Sequence, residues 1–149
     1  MRRTDKITDA DFLITTDKNE IDVVAVYDFL SKKSSWSKNI PLETVKTSIE
    51  NSLNFGLFHN NKQIGYARVI SDFATIAYLG DVYVLEEYRG KGLSKKLMDE
   101  IMQHPSLQHL RRWILLTTTA KWLYQKYNFT DLTNPDWYME LYNPVVYQK

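Results

Sequence analysis

Six residues, Arg89-Gly90-Lys91-Gly92-Leu93-Ser94, carry two of the chain's five glycines and separate two different hydrophobic periods. Before them, ATIAYLGDVYV (Ala74–Val84) is rich in strand-forming residues. After them, Leu93, Leu97, Met98, Ile101 and Met102 recur at helical spacing until Pro105. A strand must therefore turn sharply into a helix at residues 89–94. The first N–H groups of a helix lack internal partners and carry the positive end of its dipole. Glycines let a ligand approach those donors, and Arg89, Lys91, Lys95 and Lys96 add positive charge. The turn suits a pyrophosphate. Spacing alone equally supports a plain tight turn bordered by solvated lysines.

Two common nucleotide motifs do not fit. A Walker loop would need glycine where Leu85 stands, and a GxGxxG fingerprint would need it at Lys95. The turn also follows hairpins instead of opening a strand–helix–strand unit.

The rest of the chain divides into short alternating elements. FLITT (Phe12–Thr16) reads as a strand, and Asp17 with Glu20 has the spacing of a capping box. The helix behind it is expected over about Asn19–Lys32, with Ile21, Val24, Ala25, Tyr27 and Phe29 toward the buried side. A polar loop, Ser31–Pro41, holds Trp36 and leads into a helix over Leu42–Asn51 with Val45 and Ile49 inward. Phe55–Phe58 and Gln63–Val69 read as a hairpin turning near Asn60-Asn61. Arg112–Thr119 is apolar enough to predict a central strand. Lys121–Phe129 reads as a helix stopped at Asn128, and Trp137–Tyr142 as a last strand. The pattern predicts one domain over residues 1–149, a mixed sheet covered by helices.

Composition narrows the function. Nineteen basic against eighteen acidic residues leave a formal charge of +1, so bulk electrostatics gives no push toward nucleic acid. The absence of cysteine removes disulfides, thiolate metal sites and a cysteine nucleophile, and it is compatible with the cytoplasm. His59, His104 and His109 have no spacing for a shared metal, so none is implied. The start, MRRTDKITDADFL, has no apolar core of a secretory signal, and the longest apolar run, Val23–Tyr27, is too short to span a bilayer. The expectation is a soluble, cytoplasmic protein.

YRGKGLSKKLM resembles motif A of the GNAT superfamily of N-acetyltransferases, (Q/R)-x-x-G-x-(G/A), with Arg89 and Gly92 in register and Ser94 where Gly or Ala is usual. LLTTTAKWLYQKYNF (Leu115–Phe129) is similar to the family's strand-plus-helix motif B. There Tyr124 and Lys126 match, Thr117 replaces a common Asn, and Asn128 replaces Gly. With the order of elements, the resemblance covers nearly the whole chain and includes a group of small bacterial-type members of unassigned substrate.

The resemblance implies an α+β, three-layer αβα fold with a mixed, mostly antiparallel twisted sheet of six to seven strands and about four helices. It implies direct transfer of acetyl from acetyl-CoA, as cosubstrate, to a small amine or free amino group. Val82 and Val84 would offer main-chain groups to the pantetheine arm and thioester. Arg89, Gly90, Lys91, Gly92, Leu93 and Ser94 would hold the pyrophosphate, with Thr117 nearby. A bulge before the turn would part its strand from Trp113–Thr117 and admit the arm. Tyr124 would be the general acid toward the departing thiolate. Alternation sets Asp81 on the face opposite Val82 and Val84. It is a candidate base or amine orienter, and a surface hydrogen bond is the competing role. Asp72 and Glu140 are further carboxylates, and Tyr27 and Trp36 are candidates for an aromatic acceptor wall. The partner is expected to be a small molecule, with no nucleic acid or membrane, in a monomer or homodimer. A catalytically weak acyl-CoA-binding sensor is the alternative reading.

Overall fold

The computed structural model describes residues 11–148; the amino-terminal stretch read above for a signal lies largely outside them. Strand β1, Phe12–Thr15, is followed by a short 3-10 turn, Lys18–Glu20. Asp17 caps that turn by accepting from the Asn19 N–H, and the helix proper begins one cap later. There Asp22 accepts from the Ala25 N–H and opens α1, Val23–Asp28, which widens into a π-helical turn at Phe29–Lys33. The expected Asn19–Lys32 helix is therefore two pieces. The second cap also rotates its buried face, so that Val26 and Leu30 point inward while Val24 is exposed.

Helix α2, Leu42–Glu50, starts behind Pro41 and buries Val45 and Ile49. Strands β2, Leu53–His59, and β3, Lys62–Ser71, form the expected hairpin. Asn60 and Asn61 both have positive φ, as a type I′ turn requires. Strand β4 spans Ile76–Val84, and helix α3 spans Leu93–Gln103. Strand β5, Arg112–Leu115, and helix α4, Lys121–Gln125, complete the framework, with Asn128 in the left-handed conformation just beyond α4.

Among the described residues the sheet has five strands in the order β1-β2-β3-β4-β5, not six to seven. The first four are antiparallel neighbours, and β5 runs parallel to β4. Thus β5 is an edge strand, contrary to the central position that its apolarity suggested. Trp137–Tyr142 forms no strand: Pro135–Trp137 is a 3-10 turn, and the following residues have no ladder partner. A strand exists only through a neighbour, so β-propensity alone does not create one.

Two cores form on opposite faces. One gathers Leu57, Ile64, Val69, Leu79 and Val84 beneath Leu93, Leu97, Met98 and Ile101 of α3, with Leu123 and Tyr124 of α4. The other gathers Val26, Phe29, Leu30, Val45 and Ile49 against Tyr66 and Tyr83. Phe29 and Tyr83 stack with centroids 3.8 Å apart.

Candidate active site

The parallel ladder between β4 and β5 ends at Leu79 opposite Leu115. Just beyond, the β3–β4 register shifts: Arg68 faces Gly80, whereas Tyr66 faces Tyr83. Ala67 is therefore opposed by both Asp81 and Val82, which defines a β-bulge, and Asp81 takes φ 53°. Such a bulge bends its strand. Here β4 continues to Val84 with no β5 residue paired to its last five positions. The Leu85 N–H donates to the Ile64 carbonyl at 2.8 Å. Ladder alternation then turns the main-chain groups of Val84 away from β3, toward the open side. Its carbonyl there accepts from Arg89 Nε at 3.0 Å.

The glycine turn stands at the same end of β4. Gly90 and Gly92 have φ 82° and 74°, a region that side chains disfavour. A Cβ at either would meet nothing within 4 Å, so the space beside both is open. Gly92 caps α3 without a side-chain hydrogen bond, which leaves the first-turn N–H groups of Leu93, Ser94 and Lys95 without intrahelical partners. Lys91 is exposed beside them, while Lys95 pairs with Asp99. The turn thus satisfies the physical requirements of an anion cradle: open backbone, donors and positive charge.

Tyr124 is 7% exposed and belongs to the core beneath α3. Burial pushes its phenol above the ordinary tyrosine value, which keeps it protonated at neutral pH. It also borders a cleft of about 590 Å³, whose walls include Tyr78, Trp113, Leu115, Thr117 and Lys121. This cleft contains no residue of the glycine turn. Thr117 Oγ1 accepts from the Ala120 N–H at 3.0 Å and so fixes the approach to α4.

Asp81 lies on the face opposite Val82 and Val84, where the bulge sets it. Its Oδ1 accepts from Trp36 Nε1 at 2.9 Å, and its Oδ2 accepts from Arg68 Nε at 2.8 Å. Arg68 also donates through Nη1 to Ser52 Oγ. The Asp81 and Arg68 side chains are only 10% and 17% exposed, whereas Trp36 is half exposed. Both carboxylate oxygens are thus engaged, one holding Trp36 to the sheet and the other paired with Arg68. Tyr27 packs at the edge of the same aromatic cluster. Arg68 was missed in the sequence; its signal was a lone cation in the otherwise apolar IGYARVI run.

Asp72 and Glu140 stand apart from this arrangement. Asp72 accepts from the N–H groups of Ala74, Thr75 and Ile76 in its own turn, and Glu140 is exposed at the rim of the cleft. His59 Nδ1 contacts the Tyr88 hydroxyl, and His104 accepts from the Ser106 N–H. Among the described residues, no group of three or more His, Asp or Glu side chains could hold a metal ion. Nor is any described helix long and apolar enough to cross a membrane.

The bulged, parted strands and the glycine turn can be compared with known proteins. Residues 50–131 match the model of the acetyltransferase (GNAT) domain. The chain belongs to the GNAT acetyltransferases. A crystal structure assigned to that family, from Xanthomonas campestris pv. campestris, is 47% identical with a TM-score of 0.91, covering 93% of this chain and 97% of its own. A Gibberella zeae protein named provisionally as an acetyltransferase is 30% identical over 141 residues, covering 80% of this chain and 78% of its own. A more distant GNAT-like fold, a Clostridium acetobutylicum structure with acetyl-CoA, has a TM-score of 0.60 at 16% identity, covering 89% of this chain and 95% of its own. The GNAT chain is accordingly an acyltransferase, with the family's α+β fold and, among the described residues, four α-helices around a mixed sheet.

Proposed function

We propose that this chain transfers an acetyl group from acetyl-CoA directly to a small amine or a free amino group. The observation that carries the reading is the coincidence, at one end of β4, of a bulge, a parted β5 and an open glycine turn. The residues present fit a CoA group. Gly90 and Gly92 leave room for a pyrophosphate against the α3 donors, with Arg89, Lys91, Leu93 and Ser94 around it. The parted strands leave the Val84 main chain free to bind an extended arm, with Val82 at the bulge beside it. Thr117 begins the opposite wall.

Acetyl-CoA supplies the thioester carbonyl and a thiolate leaving group. The Val84 N–H is positioned to stabilise negative charge that develops on the carbonyl oxygen. Tyr124 holds a proton for the departing sulfur. A thiol ionises near ~8.5 and a tyrosine near ~10 in water, so the transfer is uphill unless the proton moves as the C–S bond breaks. A dry setting for both groups narrows that difference by destabilising the thiolate as well. An alkyl amine, with pKa near ~10.4, must lose a proton before attack. Asp81 is committed to Arg68 and Trp36, so its proposed role is to orient the acceptor through Trp36, and water removes the proton. Trp36 and Tyr27 offer aromatic surface to a cationic amine before it is deprotonated.

The test is thiol release from acetyl-CoA across amines, polyamines, amino acids and peptide N-termini, beside calorimetry with CoA. Acetyl-CoA binding with amine-dependent thiol release is the expected result. Binding without release across the panel supports a sensor, and failure to bind CoA removes both readings.

A further inference from the structure

Helix α4 carries the candidate acid and is too short to hold itself in place. It spans five residues, Lys121–Gln125, and its N-cap, Ala120, offers no side-chain hydrogen bond. Isolated helices shorter than roughly 12–15 residues are marginal in water, so α4 depends on contacts outside itself. At its start, Thr117 Oγ1 accepts from the Ala120 N–H. At its end, the Tyr124 carbonyl accepts from the N–H groups of Tyr127 and Phe129. The Phe129 ring also meets the Tyr124 ring edge-on, with centroids 6.0 Å apart. Displacing Tyr127 therefore displaces the turn that aims Tyr124.

Tyr127 is held by α3. Its hydroxyl donates to Asp99 Oδ1 at 2.5 Å, the length of a charge-assisted bond, and lies 3.0 Å from the Lys95 carbonyl. Desolvation first, and then Asp99, push this phenol above the ordinary tyrosine value, so it keeps its proton at neutral pH. Asp99 Oδ2 in turn accepts from Lys95 Nζ at 3.3 Å. Lys95 stands in the first turn of α3, where its N–H is among the cradle donors left without intrahelical partners. One cradle residue thus meets Tyr127 directly through its carbonyl and, by way of Asp99, through its ammonium. A phenylalanine at 127 would pack against the same core. The hydroxyl is what joins the two helices.

On the acetyl-transfer reading above, we propose that Tyr127 is a positioning residue whose hydroxyl, through Asp99 and Lys95, fixes the spacing between the anion cradle and the Tyr124 hydroxyl. Tyr127 touches none of the reacting atoms. It makes one frame of the helix that holds the cofactor and the helix that carries the proton donor. With a pyrophosphate seated at one end, the sulfur then arrives within reach of the acid at the other. A misplacement of about 1 Å at such a group can cost about 10²-fold in rate.

A double-mutant cycle of thiol release at saturating acetyl-CoA, with the fastest amine of the panel above, tests this. Tyr127→Phe is expected to lower kcat about tenfold. Its dissociation constant for CoA should stay within about twofold, because the cradle donors are main-chain groups that the change leaves in place. In a Tyr124→Phe background the same substitution should cost less than about twofold, since no acid is left to aim. A general loss of structure would not distinguish the two backgrounds. Asp99→Asn keeps an acceptor oxygen and should retain most of kcat, whereas Asp99→Ala should lower it. Asp99→Ala also takes the place of Tyr127→Phe in the cycle if that variant does not fold. An unchanged kcat in Tyr127→Phe, or an equal fall in both backgrounds, overturns the proposal and leaves the acid role of Tyr124 standing. Tyr124→Phe at the wild-type rate removes the acid role, and a wild type that releases no thiol removes acetyl transfer. Either result takes the proposal with it.

Discussion

The two faces of the sheet are built from different materials. The centre of the face beneath α3 is mainly aliphatic, with Leu57, Ile64, Val69, Leu79, Leu97 and Ile101, and its aromatic members, apart from Phe55 and Tyr124, pack at the rim. It supports the glycine turn through helix position alone. The face beneath α1 and α2 is aromatic and polar: Phe29 stacks on Tyr83, the Tyr66 hydroxyl donates to Asn54 Oδ1, and Arg68 pairs with Asp81. A cofactor common to a whole family needs main-chain donors, which aliphatic packing holds in place without specifying a partner. Recognition of one acceptor needs directional side chains, and those occur on the aromatic face.

The largest effect expected lies at Tyr124. Tyr124→Phe removes a hydroxyl and little packing volume. Thiol release should fall about 10²-fold or more while the dissociation constant for acetyl-CoA stays within about twofold. An unchanged rate ends the general-acid role. On the aromatic face, Asp81→Ala leaves the mostly buried Arg68 unpaired and releases Trp36. Urea unfolding should show a loss of about 3 kcal/mol. CoA affinity should change far less than it does in the next variant, and an equal loss would break the division between faces.

Gly92→Val forces a branched side chain into φ 74° although no atom lies nearby to clash. The cost is conformational, about 1–2 kcal/mol, and is expected as roughly tenfold weaker CoA binding if the turn relaxes. Calorimetry distinguishes this from a thermal shift without loss of affinity. The smallest effect belongs to Asp72, whose carboxyl is held well below its usual value by hydrogen bonds, first from Thr75. A depressed folded pKa stabilises the fold above the unfolded value of about 3.9 and ceases to do so as pH falls through the folded value. Asp72→Asn should therefore lower the urea midpoint at pH 7, and the difference should shrink progressively below about pH 4.

Much of the fold was legible because punctuation is local. Asn60-Asn61, Pro41, Pro105, Asn128 and the paired glycines each mark a boundary through their own backbone preferences. The position of β5 was not legible. Its apolar residues line a core on one side and a cleft on the other, and sequence does not distinguish a neighbouring strand from a cleft wall. The absent last strand has a related cause, since pairing depends on what stands opposite. At the candidate site, the turn and Tyr124 were readable as compact motifs. The Trp36–Asp81–Arg68 contact was not, because its members lie far apart in sequence and meet only through the sheet register.

One extra residue in β4 has a further consequence for that register. Ala77 and Leu79 face the aliphatic core, and uninterrupted alternation would next send residues 81 and 83 there. The bulge advances the phase by one, so that Val84 rejoins the aliphatic side and Tyr83 stacks on Phe29. Pairing the same residues in a regular ladder, with no extra residue in β4, would exchange these two side chains, set a phenol against α3 and strand a valine among aromatics. The bulge therefore acts as a splice between two periodicities, and both halves of the site inherit their facing from it.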